Sequence, residues 1–489
     1  MLTSVILAGG TGTRIWPLSR KDYPKQFHRF GENVSLLQST IARVSGLSDT
    51  MPFVICHHQH RFLLAEQLQS LKSNGQIVLE PASINTAAAI ASCCIHLIDE
   101  SDNQSYALAD PIVLVLPADH FIDNEDAFRN AISAAQKYID TNTIITFGVV
   151  PDRPETAYGY IKTETNLAKD SKFSNDASIH PISQFVEKPN LGIAQEYIES
   201  GNYLWNSGMF MAKASVFIAL YKSYQSDIYE SCKAAVEKLI VDLDFIRLDA
   251  NGYMNCPSIS FDHGIMEPLC SDPNATIKAM VIPIDCGWSD LGSWNAIHDH
   301  LKVGSDQNTL IGNVVVRDSS NCLVKSDDRL VTILGLQNIA VVDTKDALLV
   351  ADLSRVQEVK QLVSLLEEQG RQEVNGIREV FRPWGKYEII QTGPHHQIKK
   401  VQVKPGSRLS LQRHQHRAEH WVVVSGIATV INGDNHFTIR ENESTYIPLG
   451  NIHSLENREK NLLEVIEVQT GSYFEEDDIE RFKDEYGRA

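Results

Sequence analysis

Cysteine is scarce and scattered in this 489-residue chain. The eight residues, Cys56, Cys93, Cys94, Cys232, Cys256, Cys270, Cys286 and Cys322, form no CxxC pair. That excludes a disulfide scaffold and a thiolate metal site, and predicts a reducing, cytoplasmic setting. No apolar run approaches the length that spans a bilayer. The segment Met1-Leu2-Thr3-Ser4-Val5 lacks the basic start and apolar core of a secretory signal. Positive charge is also short, with 44 Lys and Arg against 62 Asp and Glu, a net charge of −18. This argues against nucleic acid or an anionic membrane as partner. It leaves room for small anionic substrates, which one basic loop can hold. The rest is ordinary globular composition, 43% hydrophobic and 22% charged, in a chain long enough for roughly two to four domains. Histidine is unevenly placed: seven of the 17 lie between His395 and His453.

Hydrophobic patterning divides the chain. Val5-Ile6-Leu7, Phe53-Val54-Ile55, Ile77-Val78-Leu79 and Ile112-Val113-Leu114-Val115-Leu116 are short β-branched runs, with helical patterns over 86–98 and 126–139. Continuous apolar strands separated by helices predict an α/β fold with a mostly parallel sheet covered on both faces. Ligands bind beyond the carboxyl ends of such strands, which points to the loops after Leu7, Leu79, Leu116 and Val149. Over 311–352, short apolar segments alternate with turn residues, predicting a short β-helix-like connector. A helix follows over 353–368, then a polar stretch, 369–378. The predicted division is 1–300, 301–370, a linker over 371–380, and an all-β part over 381–489. Its strands are expected near 397–403, 408–412, 420–424, 428–431, 444–447 and 462–468, with the acidic tail, 475–486, as a short helix.

The loop after the first strand runs Leu7-Ala8-Gly9-Gly10-Thr11-Gly12-Thr13-Arg14-Ile15-Trp16-Pro17-Leu18-Ser19-Arg20 and continues to Pro24-Lys25-Gln26-Phe27. Without Cβ atoms, Gly9, Gly10 and Gly12 let the backbone approach a ligand and turn N–H groups to phosphate oxygens. Arg14 and Lys25 add two cations that can neutralise a pyrophosphate. The loop is neither a GxGxxG dinucleotide turn nor a GxxxxGK[ST] P-loop.

This stretch resembles the signature of sugar-nucleotide pyrophosphorylases, and its Arg-Ile-Trp-Pro-Leu-Ser-Arg and Pro-Lys-Gln-Phe segments resemble the mannose-1-phosphate guanylyltransferase family. Further motifs follow in order: Glu80-Pro81-Ala82-Ser83-Ile84-Asn85-Thr86-Ala87-Ala88-Ala89, Leu116-Pro117-Ala118-Asp119-His120, Ala157-Tyr158-Gly159-Tyr160, Phe185-Val186-Glu187-Lys188-Pro189, Trp205-Asn206-Ser207-Gly208-Met209-Phe210 and Gly287-Trp288-Ser289-Asp290-Leu291-Gly292-Ser293-Trp294. Ala88 stands where the family usually has Pro. The resemblance implies a Rossmann-like nucleotidyltransferase domain that joins GTP and mannose 1-phosphate. It implies nucleotide contacts from Gly9, Gly10, Thr11, Gly12, Thr13, Arg14, Lys25 and Asn85. Gly159, Glu187, Lys188 and Asn206 would hold the sugar phosphate. Mg²⁺ would sit on Asp119 and Asp290, a hard cation on carboxylate oxygens. Arg14, Lys25 and Asp119 carry the implied catalysis.

In the all-β part, the segment Gln412-Arg413-His414-Gln415-His416-Arg417-Ala418-Glu419-His420-Trp421 leads to Gly426. Residues two apart on a strand share a face, so His414 and His416 are predicted to point the same way. With Glu419 and His453 they make a mixed N/O site for Zn²⁺ or another divalent transition metal. Pro448-Leu449-Gly450-Asn451-Ile452-His453 and the earlier block resemble the paired motifs of the cupin barrel. The acid comes one residue early, which leaves His420 as an alternative ligand to Glu419. The usual glycine ahead of the second motif is replaced near Asn442. The wording, with Arg382-Pro383-Trp384-Gly385, resembles the type II phosphomannose isomerase domain. That implies interconversion of mannose 6-phosphate and fructose 6-phosphate, with Arg417 on the oxyanion or the phosphate. Glu419, His420 and Lys400 are all open as proton-transfer base. A cupin that is only a structural or oligomerisation module is the alternative. The oligomeric state is open, a homo-oligomer included.

Overall fold

The computed structural model describes residues 1–10, 12–31, 33–73, 75–103, 110–164, 178–242, 245–376 and 378–483. The chain forms two compact units, Met1–Val374 and Asn375–Ala489. Thr11 lies outside the described residues. Among the described residues no helix is long and apolar enough to cross a membrane.

The first unit is built on β1 (Leu2–Leu7), β2 (Phe53–His57), β3 (Gln76–Glu80), β4 (Ile112–Pro117), β5 (Thr143–Val149), β6 (Gly159–Thr163), β7 (His180–Glu187), β8 (Tyr203–Lys213), β9 (Ile240–Asp242), β10 (Phe245–Arg247) and β11 (Lys278–Ile284). The sheet order is β5-β11-β7-β6-β8-β4-β1-β2-β3-β10-β9. Strands β4, β1, β2, β3 and β10 run parallel, as the β-branched runs predict. The other half is mainly antiparallel, so the sheet is mixed rather than mostly parallel. The reversals come from β8, antiparallel to β4, β5 and β6, and from β7, antiparallel to β6 and β11. β8 pairs with β4, β5 and β6, and so carries Asn206 from the parallel half into the antiparallel half. The helix Thr86–Asn103 begins with a wholly buried run from Ala87 to Ile95. Apart from Ser92 it is apolar on every face there, as a helix buried all round requires.

The connector comprises β12 (Thr309–Arg317), β13 (Leu323–Leu334), β14 (Ile339–Asp343) and β15 (Leu348–Asp352). The first three stack in parallel, with Thr309 beside Leu323 and Leu323 beside Ala340, the geometry of coils stacked in a β-helix. The connector does not stand apart. Ile15, Trp16 and Leu18 of the glycine-rich segment share one core with Leu323, Val342, Leu349 and Val356. Arg20, itself buried, pairs with both carboxylate oxygens of Asp346 at 2.5 Å. Those apolar side chains and Arg20, read as motif, therefore do structural work.

The second unit is antiparallel throughout its described pairings. One sheet orders β16 (Glu379–Arg382), β17 (Gly385–Gly393), β18 (His396–Val403), β25 (Leu463–Gly471), β20 (Arg417–Ser425) and β23 (Ser444–Ile447). The other orders β22 (Asn435–Arg440), β21 (Ile427–Asn432), β24 (His453–Glu456), β19 (Leu411–His414) and β26 (Ile479–Lys483). Val401, Trp421, Val423, Val430, Leu455 and Leu463 fill the space between them. Asn442 takes φ 66° at its turn, a conformation that Asn tolerates better than most residues. The described part of the acidic tail, 475–483, is not an α-helix, and 484–486 lie outside the described residues. After one 3₁₀ turn, Glu476–Asp478, it becomes β26 and pairs with β19, satisfying a strand edge that would otherwise be bare.

Candidate active sites

In the first unit a cavity of about 390 Å³ opens beyond the ends of β1, β3 and β4. Gly9, Gly10, Arg14, Asn85, Asp119, Gly159, Glu187, Lys188, Asn206 and Asp290 all line it. Gly12, Thr13 and Lys25 are not among its walls. Gly12 has φ 60°, and a Cβ there would sit 2.6 Å from the Lys25 Cβ, so its role is to let the loop close on Lys25.

Lys25 is buried, with Nζ 2.6 Å from Asp119 Oδ2 and also donating to the Asp290 carbonyl. One ammonium thus ties together two loops that are far apart in sequence. Burial pushes the Asp119 carboxyl up, but Lys25 and His120 outweigh it and hold the carboxyl below its ordinary value. Asp290 Oδ1 accepts from the Tyr158 hydroxyl at 2.7 Å and from the Gly292 N–H at 2.9 Å. Burial first, then Asp290, raises the Tyr158 hydroxyl, so it stays a donor. Arg14 has no ion-pair partner among the described residues.

At the other end, Asn206 Nδ2 donates to Asp262 Oδ1 at 2.6 Å. Lys188 Nζ stands 3.0 Å from Glu187 Oε1, while Glu187 Oε2 is buried without a partner. A Cβ on Gly159 would collide with that oxygen, so the glycine makes room for Glu187. Burial, then Glu187, pushes Asp262 up to about 6. Sequence reasoning passed over Asp262. It sits on a π-helical turn, Asp262–Met266, a feature frequent at functional sites but invisible in composition. Glu80 ends β3 on the wall of the same cavity. Burial pushes it up to about 7 although the Tyr253 hydroxyl donates to it.

In the second unit, His414, Glu419 and His453 are buried, with ligand atoms all within 4.8 Å of one another. Glu419 faces inward because β20 alternates: Arg417, Glu419, Trp421 and Val423 are buried, while His420 is exposed. Trp421 Nε1 donates to Glu419 Oε2 at 2.9 Å and Gln469 Nε2 to Oε1 at 2.8 Å, which fixes the carboxylate. His453 Nδ1 bonds the Asn451 carbonyl at 2.9 Å, freeing Nε2 as a ligand atom. His414 Nε2 lies 3.0 Å from Glu419 Oε1, but neither imidazole Nε2 has a well-aligned hydrogen-bond partner. Burial acts to raise the Glu419 carboxyl, yet His414 and His453 hold it well below the usual range. Burial and then Glu419 push Glu467 up to about 8, and Gln469 Nε2 bonds both carboxylates.

His416 does not join this cluster. β19 ends at His414 and the chain bends at Gln415 and His416, so the two-residue rule for strands does not apply. Its side chain is 58% exposed and its Nδ1 lies 2.8 Å from Asp478. Lys400 pairs with Glu464 at 2.9 Å on the side away from the core, and His420 packs on Tyr446 outside. Neither faces the cluster. Arg417 does. It is fully buried, 3.3 Å from His414 Nδ1, and held by the Glu475 carbonyl and Asp478. Gln469, Glu467 and Asp478 were missed by sequence reasoning, because each acts through a partner on another strand.

Residues 3–305 match the family described as Nucleotidyl transferase, 312–366 the MannoseP isomerase/GMP-like beta-helix domain, and 369–484 Mannose-6-phosphate isomerase C-terminal. The chain is 46% identical over its whole length to "Mannose-1-phosphate guanylyltransferase ManC" of Salmonella typhimurium, covering 98% of that protein. It is 43% identical over 99% of its length to "Alginate biosynthesis protein AlgA" of Pseudomonas syringae pv. tomato, covering 96% of it. A crystal structure from Thermus thermophilus, described as "mannose-1-phosphate geranyltransferase", superposes with a TM-score of 0.63 at 27% identity, covering 75% of this chain and 99% of that one.

Proposed function

This chain belongs to the nucleotidyl transferase family, in the branch with a mannose-6-phosphate isomerase C-terminal domain, and from that membership we infer that it is a bifunctional enzyme. The first unit transfers GMP from GTP to mannose 1-phosphate, giving GDP-mannose and pyrophosphate. The second interconverts mannose 6-phosphate and fructose 6-phosphate. The observation that carries the first activity is one cavity lined by Arg14, Asp119, Asp290, Glu187, Lys188 and Asn206.

The phosphate oxygen of the sugar bonds to the α-phosphorus of GTP as the bond to the departing pyrophosphate breaks. The nucleophile is already an anion, so positioning and charge neutralisation carry the rate. In this reading Lys188 aligns the sugar phosphate, Arg14 faces the triphosphate, and Glu187 and Asn206 orient sugar hydroxyls. Lys25 acts through Asp119 and the Asp290 loop. The carboxylate donor set suits Mg²⁺, which would offset phosphate charge there. In the second unit two free imidazole nitrogens and a carboxylate suit Zn²⁺ or another divalent transition metal, which would polarise the sugar carbonyl. Arg417 binds the phosphate or the developing oxyanion. We read the chain as a nucleotidyltransferase domain, a β-helix connector and a cupin.

Two assays on the purified full chain test this: pyrophosphate release from GTP with mannose 1-phosphate, and interconversion of the two hexose 6-phosphates with metal supplied. Transfer without isomerisation would make the barrel a binding or assembly module. The buried Arg417 beside the three ligand candidates favours catalysis.

A further inference from the structure

His120 follows Asp119 just past β4 and lines the first cavity. The Trp288 indole Nε1 lies 3.1 Å from its Nδ1. An indole N–H only donates, so Nδ1 is the accepting nitrogen and the ring carries its proton on Nε2. That N–H has no hydrogen-bond partner among the described residues. Asp119 Oδ1 stands 3.9 Å from Nε2, too far for a hydrogen bond. Two further rings fix the direction of the imidazole. Trp288 meets it at 5.2 Å and 88°, and Tyr158, whose hydroxyl bonds Asp290, packs on Trp288 at 5.2 Å. Gly208, whose N–H donates to Asn206 Oδ1 at 3.0 Å, also comes close: an added Cβ there would sit 4.0 Å from His120 Cε1. His120 thus adjoins both the Asp119 loop and the Asn206 segment of β8.

We propose that His120 is a further catalytic residue of the transfer, its Nε2–H donating to a non-bridging oxygen of the α-phosphate. The proposal rests on the guanylyl-transfer reading. In that reaction the α-phosphorus passes from pyrophosphate to the sugar phosphate, so it must lie where the nucleotide and sugar sides of the cavity adjoin. Its non-bridging oxygens offer only lone pairs. An N–H already aimed at one of them needs no reorganisation as the sugar phosphate attacks. The proton stays on Nε2 throughout. Trp288 sets the tautomer and acts through His120, so it is a positioning residue.

Asparagine and glutamine separate the two ring nitrogens. His120→Asn can offer Trp288 an acceptor near the Nδ1 position but has no N–H at the Nε2 position, which His120→Gln supplies. In pyrophosphate release from GTP with mannose 1-phosphate, His120→Asn should lower kcat by about 100-fold and leave KM within about 3-fold. His120→Gln should keep kcat within about 10-fold of wild type, and Trp288→Phe should fall between the two. GTP with sulfur replacing one α-phosphate oxygen gives a readout that a packing role would not move. With Cd²⁺ supplied, a soft metal that accepts sulfur, one sulfur diastereomer should react at least about 10-fold more slowly than GTP in wild type. In His120→Asn that gap should close to within about 3-fold. If His120 only packs on Trp288, the order of the variants reverses, so His120→Asn at least as active as His120→Gln overturns the proposal. Wild-type enzyme that uses both diastereomers as fast as GTP overturns it without any variant. Wild-type enzyme that releases no pyrophosphate from GTP with mannose 1-phosphate overturns the guanylyl-transfer reading itself.

Discussion

The cavity of the α/β unit assembles charged groups from loops far apart in sequence, whereas the barrel sets its polar cluster on neighbouring strands. Lys25 reaches Asp119 and the Asp290 carbonyl across loops, so the first site is held by charge pairing. In the second, Glu419 stands opposite Gln469, and His453 opposite Gln412, by strand register. Register and packing survive loss of one polar group; a web of paired charges is felt throughout when one member goes. The lesson is that similar polar chemistry can rest on different supports, and substitutions should separate them.

The largest expected effect is Asp119→Ala, which should cut pyrophosphate release by about 1,000-fold or more and leave isomerisation intact. Near-normal transfer would remove Asp119 from the site. Next, His453→Ala should lower isomerisation by more than about 100-fold and deplete metal measured in the purified protein, while transfer continues. Loss of both activities in a folded variant would break the independence of the two sites.

Arg20→Ala tests the support of the first unit rather than its chemistry. It removes the bidentate cation from Asp346, which keeps the Thr344 hydroxyl, and should cost about 3 kcal/mol of unfolding free energy, measured by denaturant titration. A smaller loss, roughly 10- to 100-fold in isomerase kcat/KM, is expected for Arg417→Lys, because an ammonium lacks the planar fork. The smallest effect concerns pH. Glu80 titrates at 4.5 unfolded and about 7 folded. The folded state therefore holds more protons between those values, and ligand-free stability falls as pH rises from 4.5 through 7. Thermal melts should show that slope for the wild type and a weaker one for Glu80→Gln.

The loop from Gly9 to Gln26 and the segment at Asp119 were legible because they follow strand ends, where an α/β sheet collects its ligands, whereas Asn206, inside β8, and Asp290 were legible only through the family resemblance. Arg20 was legible as motif but not as structure, since its partner Asp346 is 326 residues away. His416 misled because the strand pattern does not show where a strand stops. Asp262, Glu467 and Gln469 had no readable role, since a lone acidic or amide residue is usually solvated surface.

Residue type and spacing by themselves pointed to the α/β and all-β parts, the glycine-rich loop and a ligand set of His414, His416, His453 and either Glu419 or His420. Periodicity is local, and these features are local. Tertiary structure alone decided that the sheet is mixed, that Lys25 braces the cavity from outside its walls, that His416 turns away, and that Glu80 is buried against Tyr253. Those outcomes depend on burial and on partners distant in the chain, which set the cost of each polar group.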